Sequence, residues 1–350
     1  MQNHCDICLP QHRGYTILFK GEQQTRELEK YFKSFPEEQW SVVEDKLYWA
    51  EETVFFDLLD YLNVHMDADK ILAVGSKRTE PQKDIKGLRP ISTFLMEKQA
   101  SWIDDVIEQH AIKTHYQPIV TVKGQRVEVI GHELLSRGID ETGALIPPIK
   151  MFEAARVRNR LFALDRVCRI ESVKNAAPVT DKLIFINFIP TSIYVPEHCL
   201  TTTFKLISQL NMKPEQIVFE VVETDEVEDI EHLKSILLHY QAHGFKYALD
   251  DVGTGINDLG KLNDLQPHYV KLAREYSDGV STDLEKQAVA KSVIDVARSI
   301  GSCPLAEGIE RPEDLTFLAD MGYELFQGYY FAKPQENPLE RMTLNEDTNI

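Results

Sequence analysis

The stretch Tyr247-Ala248-Leu249-Asp250-Asp251 is a short apolar run that ends on two adjacent acidic residues. Apolar runs of this length are typical of buried β-strands. Similar runs recur along the chain, and amphipathic helix patterns lie between them. The eight predicted strands are residues 116–122, 128–133, 183–187, 217–222, 247–251, 269–272, 304–307 and 324–331. The pattern therefore predicts a fold in which strands and helices alternate.

The number and spacing of these runs indicate the fold class. Eight buried strands separated by helices, over about 240 residues, match the size of a closed (β/α)8 barrel. A doubly wound open sheet shows the same alternation and is the structural alternative. We therefore predict an α/β protein whose main domain is a TIM-like barrel.

The N-terminal part of the chain has a different pattern. It contains strand candidates at residues 15–19 and 70–74 and two helix candidates, and residues 76–90 are polar, charged and interrupted by Pro and Gly. Such a composition is typical of a linker or a long loop. The predicted segments are a small α/β regulatory or sensory module in residues 1–85, the end of a polar linker in 86–94, and the barrel in 95–345.

The composition excludes several protein classes. The 350 residues are 43% hydrophobic and 27% charged, which is typical of a globular protein and not of a disordered chain or a coiled-coil rod. With 56 acidic and 38 basic residues the net charge is −18, which disfavours binding to a nucleic acid polymer. The sequence shows no secretion signal, no membrane span and no disulfide framework. We therefore expect a cytoplasmic protein.

Polar residues end or follow most of the predicted strands. They are Glu133, Asn187, Glu220, Asp250 with Asp251, Lys271, Glu307 and Gln327. Buried carboxylates are costly unless they have a partner. The active sites of (β/α)8 enzymes lie at the carboxyl ends of the strands. We therefore expect these side chains to form one active site; the alternative is a barrel that keeps scattered polar residues for stability alone.

The charges of these residues indicate a metal site. Five carboxylates and one lysine cannot all stay ionised at close range without further positive charge. Oxygen ligands suit Mg²⁺ or Mn²⁺ better than zinc or copper. The adjacent Asp250 and Asp251 could serve two ions, with one carboxylate bridging them. The pattern therefore predicts hydrolysis of a phosphoester at a two-metal site.

The segment Gly131-His132-Glu133-Leu134-Leu135-Ser136-Arg137 resembles the signature of the EAL-domain phosphodiesterases, which cleave the second messenger cyclic di-GMP. Other motifs follow in the order of that family. They are residues 116–120, Asn187, Glu220-Val221-Val222-Glu223, residues 250–255, Lys271, residues 306–310 and residues 327–334. The resemblance covers residues 95–340. It implies a barrel with one antiparallel strand and a homodimer formed through the barrel.

The resemblance also implies a cofactor and a reaction. The ligands of two Mg²⁺ or Mn²⁺ ions would be Glu133, Asn187, Glu220, Asp250, Asp251 and Glu307. The reaction would be hydrolysis of cyclic di-GMP to linear pGpG by a water molecule that the two metals activate. Such an enzyme would control the level of a bacterial second messenger.

Further roles follow from the same resemblance. Lys271 would be a catalytic general base that orients and stabilises the attacking water, and Glu133 and Gln327 would be the other catalytic residues. Arg137 and Gln117 would bind the substrate. Glu223 would anchor the loop that follows the two aspartates.

Several positions depart from the family pattern. Leu134 stands in place of the Ala of E-A-L, Ser136 stands where an apolar residue is common, and Val252 stands in place of Phe. Ala273 stands where an Asp often follows the lysine. None of these departures removes an expected metal ligand, and the change at Val252 bears on dimer geometry and basal rate more than on metal binding.

Alternative functions remain open. The EAL fold also occurs in receptors that bind cyclic di-GMP without cleaving it, and in regulators that act through protein interactions. Arg137 has the alternative role of a surface salt bridge. Near the N-terminus a Cys-x-x-Cys motif has flanking histidines, and the sequence does not decide whether it binds a metal. Its residues are His4, Cys5, Cys8 and His12.

Overall fold

The computed structural model describes residues 14–20, 28–81, 85–124, 126–179, 181–222, 229–253 and 258–342. These residues divide into two compact units. One unit comprises the residues up to 108 together with 150–160, and the other comprises 109–149 and the residues from 161 onward. Within the described ranges, no helix is both long and apolar enough to cross a membrane.

The smaller unit is built on an antiparallel sheet. Its strands are β1 (Gly14–Phe19), β2 (Trp40–Glu44), β3 (Leu47–Glu51), β4 (Ile71–Ser76) and β5 (Arg89–Pro90), in the order β2-β3-β1-β4-β5. Helix α1 (Glu52–His65) begins directly after β3. Its residues Phe55, Leu59 and Leu62 recur at helical spacing and are buried in one core with the sheet residue Ile17. The prediction of a small α/β module before the barrel is confirmed.

Residues of the predicted linker make specific contacts in this smaller unit. Strand β5 pairs with β4, with Pro90 opposite Leu72, and the side chains of Ile91 and Phe94 are buried in the core. Helices α2 (Leu95–Gln99) and α3 (Trp102–Glu108) follow. Strand β5 lies at the edge of the sheet, and its Arg89 is exposed. The division into 1–85, 86–94 and 95–345 stays a prediction.

The segment 150–160 also belongs to the smaller unit. Its Arg158 is only 1% exposed. The Nε of Arg158 donates to Asp104 Oδ2 at 2.9 Å, and its Nη1 donates to Glu52 Oε2 at 2.9 Å. Tyr15 Oη donates to the same carboxylate of Glu52 at 2.9 Å. The buried charge of Arg158 is therefore compensated by two carboxylates of the same unit.

The larger unit contains a closed barrel. Among the described residues it has eight strands, which are β6 (Ile112–Lys123), β7 (Arg126–Ile139), β9 (Leu183–Phe188), β10 (Ile217–Val221), β11 (Lys246–Val252), β12 (Tyr269–Leu272), β13 (Cys303–Ala306) and β14 (Leu325–Phe326). A short strand, β8 (Leu145–Ile146), pairs with β7 outside the ring. The predicted TIM-like barrel is confirmed, and the open doubly wound sheet is excluded because β6 pairs with both β7 and β14.

Strand β6 differs from the other barrel strands in direction. It runs antiparallel to β7 and to β14, whereas the remaining neighbours pair in parallel. The expected antiparallel strand is therefore confirmed. The predicted first strand is extended at both ends in the structure, and the last, predicted over 324–331, is only two residues long.

Side chains along each barrel strand alternate in direction. One faces the inside of the barrel, and the next faces the surrounding helices. Val218, Ala248 and Leu305 belong to an apolar layer inside the barrel. Their neighbours Phe219 and Leu249 instead pack in the core shared with the helices. This period of two is the geometry of a strand with both faces buried.

Helices cover the outside of the barrel. They are α5 (Leu161–Lys174), α6 (Pro196–Cys199), α7 (Thr201–Gln209), α8 (Ile230–Ala242), α9 (Asp258–Leu265), α10 (Arg274–Ser277), α11 (Leu284–Ser299) and α12 (Pro312–Met321), whereas most of α4 (Pro148–Val157) belongs to the smaller unit. In α11, Asp283 caps the first turn by accepting hydrogen bonds from two backbone N–H groups. Its buried residues Ala290, Val293, Ile294 and Ala297 form one face at helical spacing.

Candidate active site

A layer of polar side chains lies inside the carboxyl end of the barrel. Asp250 follows Ala248 of the apolar layer by two positions, and Glu220 follows Val218 in the same way, so both acidic side chains face inward. The predicted site residues at this level are Gln117, Glu133, Asn187, Glu220, Asp250, Lys271, Glu307 and Gln327. Eight positions from eight strands or strand ends are thus brought to one end of the barrel.

Lys271 is the centre of this layer and is fully buried. Its Nζ contacts the carboxylates of Glu220 and Glu307. The same Nζ lies 3.2 Å from Asp250 Oδ1 and 3.5 Å from Glu133 Oε2. One ammonium group therefore faces four carboxylates that come from four different strands.

These contacts determine the protonation of Lys271. Burial on its own lowers the pKa of a lysine, but the surrounding carboxylates, Asp250 foremost, raise the pKa of Lys271 well above its usual value. The side chain is therefore an ammonium that donates hydrogen bonds. A general base must accept a proton, so the role of base requires that bound cations first neutralise the carboxylates.

Glu133 on β7 accepts hydrogen bonds from two amide side chains, one on the neighbouring strand β9 and one that follows β14. Asn187 Nδ2 donates to Glu133 Oε1 at 2.8 Å, and Gln327 Nε2 donates to Glu133 Oε2 at 2.8 Å. Gln117 lies opposite Glu133 in the antiparallel pairing of β6 with β7. The two amide groups hold the Glu133 carboxylate in one orientation.

Asp250 and Asp251 reach the same site although they are adjacent in a strand. Adjacent side chains of a regular strand face opposite sides of the sheet. The pairing of β11 with β12 shifts between Leu249 and Val252, and Asp251 has a φ of 50°, in the left-handed region. A bulge of this kind changes the direction of a side chain. Because of it, both aspartates offer an oxygen to one group that includes Glu307.

The carboxylates form two adjoining groups. Glu133, Glu220 and Glu307 form one group, and Asp250, Asp251 and Glu307 form the other. In each group the three ligand atoms lie within 4.8 Å of one another. Sets of carboxylate oxygens are the ligands that hard divalent cations prefer. The two groups share Glu307, and their residues could hold two such cations.

Two buried oxygen atoms and two shifted pKa values also favour the binding of a cation at this site. Glu220 Oε2 and Gln327 Oε1 have no hydrogen-bond partner among the described residues, which is costly for buried oxygens. Burial and the charge of Glu133 raise the pKa of Glu220 well above its usual value, and burial and Asp250 do the same for Glu307. A divalent cation would compensate both effects, so the residues present fit the implied metal.

The barrel sequence matches one protein family. The family model described as the EAL domain matches residues 100–334. The chain belongs to the EAL domain family.

PdeG of Escherichia coli K12, named a probable cyclic di-GMP phosphodiesterase, is 30% identical over 236 residues, which are 65% of this chain and 45% of PdeG. PdeR of the same strain, named a cyclic di-GMP phosphodiesterase, is 26% identical over 240 residues, which are 67% of this chain and 36% of PdeR. The chain thus spans less than half the length of either relative.

Solved EAL structures share the fold. A standalone EAL protein from Vibrio cholerae O395, in its c-di-GMP-bound form, has a TM-score of 0.58 at 32% identity, covering 67% of this chain and 96% of that chain. The FimX EAL domain from Pseudomonas aeruginosa bound to c-di-GMP has a TM-score of 0.62 at 19% identity, covering 70% and 98%. The EAL-type fold of the barrel is therefore confirmed.

Arg137 lies at the mouth of the EAL barrel. It follows Glu133 by four positions on β7, so both side chains face the same side. Arg137 is half-buried, and its Nη1 donates to the backbone oxygen of Ser136 at 2.9 Å. The alternative of a surface salt bridge is not observed, because Arg137 forms no ion pair within the described ranges. The roles of Arg137 and Gln117 in substrate binding stay predictions.

Some predicted residues have no described position in this EAL chain. Glu223, His4, Cys5, Cys8 and His12 lie outside the described residues. The loop-anchoring role of Glu223 therefore stays a prediction.

The strand pattern does not reveal Asp165, which lies on α5 and supports the loop after Asn187. Asp165 Oδ1 accepts a hydrogen bond from Ile189 N at 2.9 Å, and its Oδ2 accepts from Ser192 Oγ at 2.6 Å and from Arg169 Nη1 at 2.8 Å. Asp165 and Arg169 are 3% and 1% exposed. An acid and an arginine four positions apart in a helix whose neighbouring residues are largely apolar are the signal that could have identified this pair.

Proposed function

We propose that this EAL domain hydrolyses cyclic di-GMP to linear pGpG with two Mg²⁺ or Mn²⁺ ions as cofactors. The observation that carries the proposal is the pair of carboxylate groups that share Glu307 and surround Lys271. The relatives named cyclic di-GMP phosphodiesterases, and the EAL protein solved with c-di-GMP, support this choice of substrate.

In this proposal the residues of the site have different roles. The residues that hold the ions are Glu133, Asn187, Glu220, Asp250, Asp251 and Glu307. The ions supply Lewis-acid activation of the phosphodiester and of water. The Lys271 ammonium donates hydrogen bonds that orient the attacking oxygen and stabilise the negative charge that develops on the phosphate. Gln327 keeps the Glu133 carboxylate in place through its 2.8 Å hydrogen bond.

Arg137 and Gln117 bind the substrate in this proposal. A guanidinium presents a planar set of donors that matches the oxygens of a phosphate. Arg137 is available for this contact because no described carboxylate pairs with it. Its position on the same strand as Glu133 keeps the phosphate close to the carboxylate groups.

A second candidate function is signalling without hydrolysis. The blue light- and temperature-regulated antirepressor BluF of Escherichia coli K12 is 27% identical over 166 residues, which are 47% of this chain. A protein with a related sequence is thus named for regulation and not for hydrolysis. A silent receptor would bind cyclic di-GMP and release no pGpG, and a protein-interaction regulator would not bind it. Homodimerisation through the barrel and a cytoplasmic location stay predictions.

A turnover assay distinguishes these functions. The purified full chain is incubated with cyclic di-GMP and either Mg²⁺ or Mn²⁺, and the products are separated by chromatography. We expect pGpG as the product, no turnover in the presence of EDTA, and inhibition by Ca²⁺, which prefers a looser coordination. Binding of cyclic di-GMP by calorimetry with no pGpG under any of the metal conditions would instead establish the receptor function.

Replacing Arg137 with Met should weaken substrate binding more than it slows the chemical step. A hydrogen bond to a charged group contributes about 1.5–3 kcal/mol, so KM should rise about 10–100-fold. Steady-state kinetics with saturating Mn²⁺ measure this split between KM and kcat. Arg126→Met is the matched control, because Arg126 is exposed at the other end of the same strand. An unchanged KM in Arg137→Met would show that Arg137 does not hold the phosphate.

Replacing Asp165 with Asn should weaken metal binding through the loop after Asn187. Loss of the charge leaves Arg169 buried without its acid, and the free energy of unfolding should fall by about 3 kcal/mol. Loss of such a supporting contact also lowers metal affinity about tenfold or more. Isothermal titration with Mn²⁺ measures the second effect.

Asp314→Asn is the matched control for Asp165→Asn. Asp314 is also buried, pairs with Arg311, and accepts hydrogen bonds from the backbone N–H groups of Gly279 and Ser281, a loop without predicted ligands. We expect this variant to lose stability and to keep its Mn²⁺ affinity. Equal Mn²⁺ affinity in both variants would limit Asp165 to a structural role.

A further inference from the structure

The inward positions of the barrel strands also bring polar residues together at the opposite end. Lys246 precedes Ala248 of the inner apolar layer by two positions on β11, and Cys303 precedes Leu305 by two positions on β13. Tyr269, at the start of β12, belongs to the inner layer itself. The alternation that places the carboxylates at one mouth therefore places a lysine, a phenol and a thiol at the other.

These residues line a cavity of about 440 Å³. Its apolar walls include Ile130, Leu183 and Leu325, and its polar lining includes Lys246 and Tyr269. A volume of this size accommodates a small organic molecule. The inner apolar layer separates the cavity from the carboxylate groups, so the cavity is a separate site from the candidate active site.

The polar groups of the cavity are hydrogen-bond donors. Lys246 Nζ lies 3.5 Å from Tyr269 Oη and 5.8 Å from the centre of the Tyr269 ring. Lys246 forms no ion pair with any residue that the structure describes. His268 Nδ1 accepts a hydrogen bond from Tyr247 N at 3.3 Å, so the ring proton is on Nε2 and remains available for donation.

Among the residues that the structure describes, no acidic side chain lines this cavity. The chain has a net charge of −18, whereas the described lining of this site contains one lysine and no carboxylate. The thiol does not add negative charge, because burial and the nearby Glu324 raise the pKa of Cys303 to about 12. Glu324 is exposed beside Leu325 and is not part of the lining. Lys246 is therefore the one charged side chain among the described lining residues.

We propose that this cavity binds a small organic anion with one carboxylate-like group and an apolar body. The anionic group pairs with Lys246 and accepts from Tyr269 and His268, and the apolar body lies between Ile130 and Leu325. The site is independent of the proposed phosphodiesterase activity, because none of its residues belongs to the carboxylate groups.

Calorimetric titration of the full chain with 2-naphthoate and with 2-naphthamide tests the proposal. The two probes have the same shape and differ in charge. A charged hydrogen bond contributes about 1.5–3 kcal/mol, so naphthoate should bind about tenfold more tightly or better. Lys246→Met should abolish the preference for naphthoate, and Lys246→Arg should retain it. Lys291→Met, which removes an exposed lysine paired with Asp295, should leave the preference unchanged.

Alkylation of cysteines by iodoacetamide, followed by mass spectrometry, locates the bound probe. Naphthoate should slow the alkylation of Cys303 and leave that of Cys199, on α6, unchanged. Equal affinity for the two probes, a preference that survives in Lys246→Met, or slowing at Cys199 alone would each overturn the proposal. Absence of naphthoate binding at millimolar concentration in a folded chain would also overturn it.

Discussion

Replacing Glu133 with Gln should reduce the turnover of cyclic di-GMP about 10³-fold. Metal activation lowers the barrier by several kcal/mol, and each tenfold change in rate corresponds to about 1.4 kcal/mol. Glutamine keeps the size of the side chain and removes its charge. Glu133 belongs to the first carboxylate group and receives hydrogen bonds from Asn187 and Gln327. Initial rates of pGpG formation at saturating Mn²⁺ measure the loss.

Glu128→Gln is the matched control for Glu133→Gln. Glu128 lies on the same strand but is exposed outside the site, so this variant should retain the full rate. Circular dichroism and the unfolding midpoint show whether both variants fold equally. Turnover in a folded Glu133→Gln chain at the rate of the control would contradict the role of Glu133 as a metal ligand.

Replacing Lys271 with Met should lower the free energy of unfolding by about 3–5 kcal/mol when no metal is present. The substitution removes the ammonium that faces Glu133, Glu220, Asp250 and Glu307, and it leaves those carboxylates to repel one another. Urea denaturation in EDTA measures the loss. Added Mn²⁺ should restore most of the stability, because a ligand that binds only the folded chain stabilises it.

The same Lys271→Met variant should lose turnover even where Mn²⁺ restores its stability. The lysine orients the attacking oxygen, and a methionine has no donor for this purpose. Lys291→Met, which removes an exposed lysine paired with Asp295, should change neither stability nor turnover. A Lys271→Met chain that is destabilised in EDTA and not stabilised by Mn²⁺ would argue against a divalent ion among these carboxylates.

The position of most candidate residues on the barrel strands could be predicted from local sequence. Asp250 lies two positions after Ala248, and Glu220 lies two positions after Val218, so each acidic residue shares a face with an apolar residue. This spacing depends only on the period of a strand. For this reason the end of the barrel that carries the acids was predictable.

Other features depend on pairing between distant segments. The sequence places Asp250 and Asp251 on opposite faces of a regular strand, and the register shift between β11 and β12 brings them into one group. Gln117 lies opposite Glu133 only because β6 runs antiparallel to β7. Neither the bulge nor the direction of β6 has a local sequence signal that predicts it.

The supporting contacts of Asp165 and Arg158 were also not predictable from strand patterns. Asp165 is on a helix, and its partners Ile189 and Ser192 lie more than twenty residues later in the chain. Arg158 lies between barrel elements in sequence and pairs with a carboxylate from residue 52 of the smaller unit. A contact between residues so far apart in sequence leaves no periodic pattern.

The sequence by itself determined the alternation of strands and helices, the inward face of each strand and the set of acidic residues at the strand ends, because these follow from residue order over a few positions. The tertiary structure decided which carboxylates share a group, where Lys271 lies among them, and that a second mouth of the barrel carries Lys246. Those arrangements depend on closure of the barrel, which brings side chains from distant strands within a few ångströms of one another.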